Sequence, residues 1–327
     1  MLPVLLTIDT EYSSGLYARG MHDRAANFAA TIACKGQNGE RGGEAGIFHQ
    51  MRVFAGHGLK AVFFVDPLPA LVWGQGAVDD VVGPILSAGH EVQLHLHTEW
   101  LEFAHHNLVG GRTGQHIKDF PQDDQAVLIE FGIARLIEAG APRPIAFRAG
   151  NYGASDDTLH ALAACGIAWD SSFAPGFAAS DCAIPLAPGA CAPVMRHGVA
   201  ELPAAAIAGP RGSWWHGQIT ALSLAELKAA TRHAAATDWL ALVLVSHSFE
   251  LFNRTRGRPN AVVKHRFEAF CAWLGACGIA RTAGFADLAL PGPDAAALPL
   301  LPHAAHRTAA RMAEQFVANR LAKGFGA

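Results

Sequence analysis

Charge is scarce in this 327-residue chain: Asp, Glu, Lys and Arg make up 16% of it and the net charge is −3. Such a balance supplies no basic field of the kind that nucleic acid demands, so no nucleic-acid partner is expected. The six cysteines (Cys34, Cys165, Cys182, Cys191, Cys271 and Cys277) contain no CxxC pair and no dense spacing, which excludes a disulfide framework and leaves reduced, core-filling thiols. No stretch approaches the ~20 uninterrupted apolar residues of a spanning helix, so no transmembrane segment is expected. The opening MLPVLLTIDTEY lacks the positive leading region of a signal peptide and meets acids after a few apolar residues. It reads as a first strand, and the protein as cytoplasmic. What the chain has in quantity is hydrophobic residues, 51%, and histidine, seventeen copies. The first suffices for a large core in one α/β domain or two smaller ones.

One pattern recurs: a helical stretch, a Gly able to stop it in the left-handed conformation, then a short β-branched or aromatic run. It occurs as FAGHGLKAVFFVD (54–66), LSAGHEVQLHLH (86–97), IEAGAPRPIAFRAG (137–150), ACGIAWDSS (164–172) and ACGIARTAG (276–284). With VLLTID at the start and LALVLVSHS (240–248) there are about seven βα-type units, which implies a parallel sheet with helices outside, open or closed into a barrel. Ser223 and Glu226 form a capping-box pattern opening a helix to about residue 236, and Asp123–Ala139 and Asn260–Cys277 carry helical spacing. Stretches 12–43, 98–122 and 173–218 read as long irregular segments, a length usual for functional loops. The expected division is a domain over 1–290, then 291–327, a Pro-rich joint (LPGPDAAALPLLPH, 290–303) and an amphipathic helix, His306–Lys323. That helix packs on the domain or on a second subunit, so an oligomer stays open.

Ionisable residues gather where the apolar runs end: Asp9 and Glu11, Asp66, His95 to Glu99, Arg148, Asp170, His247. In parallel α/β folds ligands bind at that edge, because the loops converge there. Within GHEVQLHLHTEW (89–100), His95, His97 and Glu99 stand at alternating positions. His95 and His97 share one face if the strand runs on; if the chain turns, His95 and Glu99 close on an ion instead. Asp9 and Glu11 add two carboxylates on one face of a neighbouring strand end, one for an ion and one free to act as a base.

The order of these motifs resembles the polysaccharide deacetylases (carbohydrate esterase family 4, NodB homology), on TIDTE (7–11), GHEVQLHLHTE (89–99), RAGNYG (148–153), WDSS (169–172) and LVSHS (244–248). It is most similar to a divergent, WbmS-like branch associated with bacterial surface-polysaccharide loci. The resemblance implies a distorted (β/α) barrel of about seven strands with the active site at their C-terminal ends. It implies a hydrolase removing an N-acyl group, acetyl first, from a sugar or a nucleotide- or lipid-linked sugar. Asp9 would be the base, kept ionised by Arg148, and His247 the acid, with Asp170 raising its pKa. The backbone N–H of Tyr152 would face the oxyanion, and Glu11, His95 and either His97 or Glu99 would hold a divalent metal, Zn²⁺ or else Co²⁺ or Ni²⁺. Two departures stand out: Thr10 separates the acids of the first motif, and the second motif's second histidine position falls on Glu99. They keep two rivals in view, a metal-independent, allantoinase-like amide hydrolase and a carbohydrate-binding protein with an altered site. GSWWHGQ (212–218) offers Trp214 and Trp215 for stacking on a sugar or for packing under a loop. FNRTRGRPN (252–260) offers Arg254, Arg256 and Arg258 to a phosphate or uronate.

Overall fold

The computed structural model describes residues 1–36, 43–292 and 297–323. Each recurring unit becomes a helix, a stop and a strand. The stops are Gly58, Gly89, Gly140, Gly166 and Gly278, with φ of 64°, 71°, 93°, 74° and 66°, a region that costs a side chain strain and glycine none. The strands are β1 (Leu2–Thr10), β2 (Val62–Val65), β3 (Glu91–Leu96), β4 (Ala146–Ala149), β5 (Trp169–Asp170), β6 (Val194–Arg196), β7 (Val199–Glu201), β8 (Ala206–Ala208), β9 (Trp214–His216), β10 (Leu242–His247), β11 (Phe252–Asn253), β12 (Arg258–Pro259) and β13 (Ala280–Thr282).

Seven of them pair in parallel in the order β10-β1-β2-β3-β4-β5-β7. β6 adds an antiparallel edge to β7. β13 joins β1 on the β2 side, because Val4 pairs with Leu242 on one flank and Thr282 on the other. Backbone bonds from the chain after β7 bridge the gap between β5 and β10: the N–H groups of Leu202, Ala204 and Ala205 donate to Asp170, Phe173 and Val243, and that of Val245 donates to Gly217, at 2.8–2.9 Å. The result is a distorted (β/α) barrel of seven parallel strands with an irregular seam.

Alternation along the strands fills it. Leu5, Phe64, Ala146, Trp169 and Val243 form one buried cluster inside the sheet, while Val4, Leu6 and Ile8 join the larger cluster under the helices. Two residues on from Leu5 and Ala146 come Thr7 and Arg148, whose side chains meet at 3.0 Å. A buried cation therefore lies on the apolar interior, directly beneath the strand ends.

Helices over Leu224–Ala236, Gln122–Glu138 and Ala261–Ala276 match the helical spacings within a residue or two. The stretch 12–43 differs from its reading as irregular: it contains helices Ser14–Ala18 and Arg24–Thr31, capped by Ser13 and Asp23, and 37–42 lie outside the described residues. Both are too short for periodicity to show, and the side-chain caps supply what periodicity does not. Likewise 98–122 holds 3₁₀ turns at Thr98–Glu102 and Ile117–Asp119, and 173–218 holds β6 to β9. The last helix, Ala305–Lys323, lies on Leu224–Ala236 and Ala261–Ala276. Arg266 Nη2 donates to Glu314 at 2.8 Å, and the buried Arg311 guanidinium sits 3.5 Å over the Trp215 ring. The Leu301 carbonyl accepts from Ala208 N–H, so the tail is tied to the β8–β9 hairpin that grows from the seam. Of the Pro-rich joint, 293–296 lie outside the described residues. No helix among the described residues is long and apolar enough to cross a membrane, and all six cysteines are free.

Candidate active site

Register does the positioning. Asp9 pairs with His247 across β1 and β10, and His95 with Arg148 across β3 and β4. Their strand ends surround a cavity of about 190 Å³ whose walls include Asp9, Glu11, His95, His97, Tyr152 and His247.

Glu11, His95 and His97 present ligand atoms that all lie within 4.8 Å of one another. His95 Nδ1 lies 2.6 Å from the Arg148 carbonyl, an acceptor only, so Nδ1 carries hydrogen and Nε2 is turned toward Glu11 Oε2 at 3.2 Å. His97 repeats the arrangement: Nδ1 faces the Glu99 carboxylate at 3.3–3.4 Å, and Nε2 meets Glu11 Oε2 at 2.6 Å. Each imidazole thus has its outer nitrogen fixed by a second partner and its inner nitrogen offered to a common point, the orientation of histidines around zinc. Asn151 Nδ2 donates to Glu99 at 3.0 Å and steadies that partner in turn. Burial works against the charge of Glu11, but the two histidines overcome it and hold its carboxyl well below the usual range. His97 is likewise disfavoured as a cation by burial, yet Glu11 and Glu99 carry it well above. Two imidazoles and a carboxylate whose ligand atoms converge on one point are a donor set suited to a borderline divalent cation, which would take the place of the proton shared among them. Glu99 lies behind His97, against its far nitrogen, because the chain continues extended through His97 before turning at Thr98.

Asp9 has one oxygen engaged and one facing the cavity side. Arg148 Nη1 donates to its Oδ1 at 2.6 Å, while Oδ2 lies 3.8 Å from His247 Nε2. Arg148 is wholly buried, and it also donates to the Ser171 carbonyl at 3.1 Å and lies 4.4 Å over the Phe64 ring. Burial raises the Asp9 carboxyl, but Arg148, with His95 and His247, outweighs it and keeps the group ionised.

His247 is oriented by a residue the motifs do not contain. Its Nδ1 meets Glu250 Oε1 at 2.8 Å; Ser246 Oγ donates to Glu250 Oε2 at 3.1 Å, and Gln218 donates to Oε1. Burial would depress the imidazolium, but Glu250, with Asp9 behind, pushes it up to about 9. A proton so held stabilises the fold fully below the imidazole's ordinary pKa, and the contribution fades as pH rises through about 9. Followed by NMR, His247 is expected to titrate near 9 in the wild type and at a clearly lower pH in Glu250→Gln, where only Asp9 and Glu11 still oppose burial. An unmoved titration would assign the shift to Asp9 instead.

Asp170, expected beside His247, is elsewhere. It lies in β5, opposite Glu201 of β7, with Ser172 Oγ donating to it at 2.6 Å, and it does not line the cavity. Burial pushes both carboxyls up, Glu201 well above its ordinary value with the charge of Asp170 adding to the effect. Asp170 is not among the groups that raise His247; Glu250, three residues away in sequence, is the first of them. Tyr152 lies at the cavity with φ 57°, and its hydroxyl pairs with His216 Nε2 at 3.1 Å. His216 is buried and driven down to about 3 by desolvation and by Arg148 and His247, so it is neutral. The tryptophan pair does not reach the cavity: Trp215 lies under Arg311 and Trp214 is exposed, while His216, next in sequence, lines the wall.

No family model matches the chain, and no curated protein matches it in sequence. Solved structures do. A candidate polysaccharide deacetylase from Mycobacterium smegmatis superposes with a TM-score of 0.52 at 18% identity, over 89% of this chain and 94% of its own. A 4-alpha-glucanotransferase from Thermococcus litoralis gives 0.53 at 11% identity, over 91% of this chain and 42% of that longer one. A family 4 carbohydrate esterase from Streptomyces lividans gives 0.44 at 12%, over 92% and 98%. The barrel is thus shared with proteins of different named activities, so fold alone does not choose the reaction and the side chains at the strand ends must.

Proposed function

We propose that the chain is a metal-dependent hydrolase that removes an N-acyl group, acetyl first, from a sugar, in the cytoplasmic synthesis of a bacterial surface polysaccharide. The observation that carries this reading is the placement, side by side on the wall of one cavity, of an ionised carboxylate and a protonated imidazole beside a Glu-His-His triad. Acyl transfer from nitrogen needs these parts: a base for water, an acid for the departing amine and a cation for the carbonyl.

Glu11, His95 and His97 would hold the ion, and two imidazoles with one carboxylate favour Zn²⁺, with Co²⁺ or Ni²⁺ as substitutes. When bound it supplies Lewis acidity, making water acidic enough to yield hydroxide near neutral pH and polarising the acyl oxygen. The protein's own groups do the rest. Asp9 takes the proton of the attacking water through Oδ2, while Arg148 holds Oδ1 and fixes the carboxylate plane. His247, protonated at neutral pH through Glu250, delivers its proton to the leaving nitrogen. Tyr152 stands over the acyl side in a turn held by Gly150 and Gly153, with its backbone N–H assigned to the oxyanion.

Incubation with N-acetylglucosamine and its oligomers is expected to release acetate, to stop on chelation and to resume with Zn²⁺. Acetate release that continues after the metal has been stripped would favour the allantoinase-like rival. Sugar binding without any release would favour a binding protein.

A further inference from the structure

We infer that the amine side of the substrate carries an anion, a carboxylate or a phosphate, held by Arg254; the inference rests on the deacylation proposed above. Beside the 190 Å³ cavity lies a second of about 180 Å³, and the two share Glu11, His97 and Phe249 as a common wall. The first ends on the rings of Tyr152, Phe177 and His216, mutually in contact at centroid distances of 5.7–5.9 Å, which suits a small acyl group. The second is lined by the hydroxyl residues Ser13, Ser14 and Thr31 and by Arg254, which suits a polar ring bearing a charge.

Phe249 links Arg254 to the reacting centre. Its ring stacks on His247 at 5.1 Å and 28°, and the Arg254 guanidinium lies 4.5 Å from its centroid. Imidazole, phenyl and guanidinium form a column from the proton donor to the mouth of the second cavity. A substituent on the nitrogen that His247 protonates leaves along that column, away from the acyl pocket.

Charge completes the argument. Asp9 is paired with Arg148, Glu250 with His247, and Glu11 and Glu99 with the histidines of the triad. Arg254 is exposed, and among the described residues no carboxylate lies within ion-pair distance of it. A planar cation aligned by stacking and with no counter-charge among the described residues is a receptor for a carboxylate or phosphate, which accept two parallel hydrogen bonds from it.

Calorimetric titration of metal-free protein with glucuronate, glucose 1-phosphate and glucose separates this contact from turnover. One of the anions is expected to bind at least about tenfold more tightly than glucose, the tighter one naming the source of the charge. The preference should collapse in Arg254→Gln and return in part in Arg254→Lys. In hydrolysis, kcat/KM for N-acetylglucosaminuronate or N-acetylglucosamine 1-phosphate should exceed that for N-acetylglucosamine by a similar factor, with the ratio falling toward one in Arg254→Gln. Anions that bind no better than glucose, or a preference that survives Arg254→Gln, would overturn the inference while acetate release from N-acetylglucosamine left the hydrolase standing. Arg254-dependent anion binding with no acetate released from any of the three would keep the anion site and overturn the deacylation.

Discussion

Asp9→Asn is expected to cut acetate release by roughly 10²–10⁴-fold, the range for a lost general base, and also to cost about 3 kcal/mol of stability. Read from the TIDTE motif alone, the substitution removes a proton acceptor and leaves folding intact. The structure changes that expectation, because the carboxylate removed is the counter-charge of an arginine with no exposed surface. Asn can still accept one hydrogen bond from Arg148, but it brings no charge, and Thr7, Ser171 and the Phe64 ring offer only dipoles and a quadrupole in its place. His247→Ala should show a comparable kinetic loss with a smaller stability cost, since Glu250 keeps its bonds from Ser246 and Gln218. Acetate release and the urea midpoint, measured on both variants, decide. Near-normal turnover in Asp9→Asn would remove it as the base. An unchanged midpoint would mean that Arg148 had turned to the carboxyls of Asp170 and Glu201, the acids next behind it.

This coupling of site and core marks the limit of what the sequence makes legible. Strand ends were readable because parallel βα units place every carboxyl terminus at one edge, and a residue is assigned to that edge by counting to the end of an apolar run. Asp9, His95, Arg148 and His247 follow from such counting. The partner of His247 does not: Glu250 stands after the strand in a turn, where neither alternation nor a motif distinguishes it from any solvated acid. Glu201 is similarly hidden, because β7 is three residues long and gives no periodic signal, yet it is the hydrogen-bond partner that offsets the burial of Asp170. His216 reaches the cavity only through the seam, which depends on Gly217 approaching so closely that a Cβ would lie 2.7 Å from the Ala205 carbonyl. Its neighbours Trp214 and Trp215 are the more conspicuous letters. Conspicuous side chains are no guide where one residue of register decides which of three adjacent rings faces inward.

His95→Ala should abolish binding of the divalent ion, and the contrast between His97→Ala and Glu99→Ala should be the most informative comparison in the site. His95 is fixed from both sides, by the Arg148 carbonyl and by Glu11, and without it one carboxylate and one imidazole remain. The spacing of the second motif leaves His97 and Glu99 equal claimants to the third position. Geometry separates them: His97 Nε2 is 2.6 Å from the Glu11 oxygen on which the triad converges, whereas Glu99 meets the far nitrogen of His97 and the amide of Asn151. His97→Ala should therefore lose the metal as completely as His95→Ala does. Glu99→Ala removes only an orienting partner and should weaken binding about 10–100-fold, the usual loss when an outer hydrogen bond to a ligating histidine is cut. Asn151→Ala, one bond further out, should weaken it less than Glu99→Ala. Elemental analysis and a competitive chelator titration of the purified variants read each step without recourse to activity. If Glu99→Ala empties the site while His97→Ala retains stoichiometric Zn²⁺, the third ligand is the carboxylate and the chain must turn before His97 when metal binds. If all four variants and the wild type hold no metal at any concentration tested, the three side chains are a proton-linked cluster, and the carbonyl would have to be polarised by the protein alone.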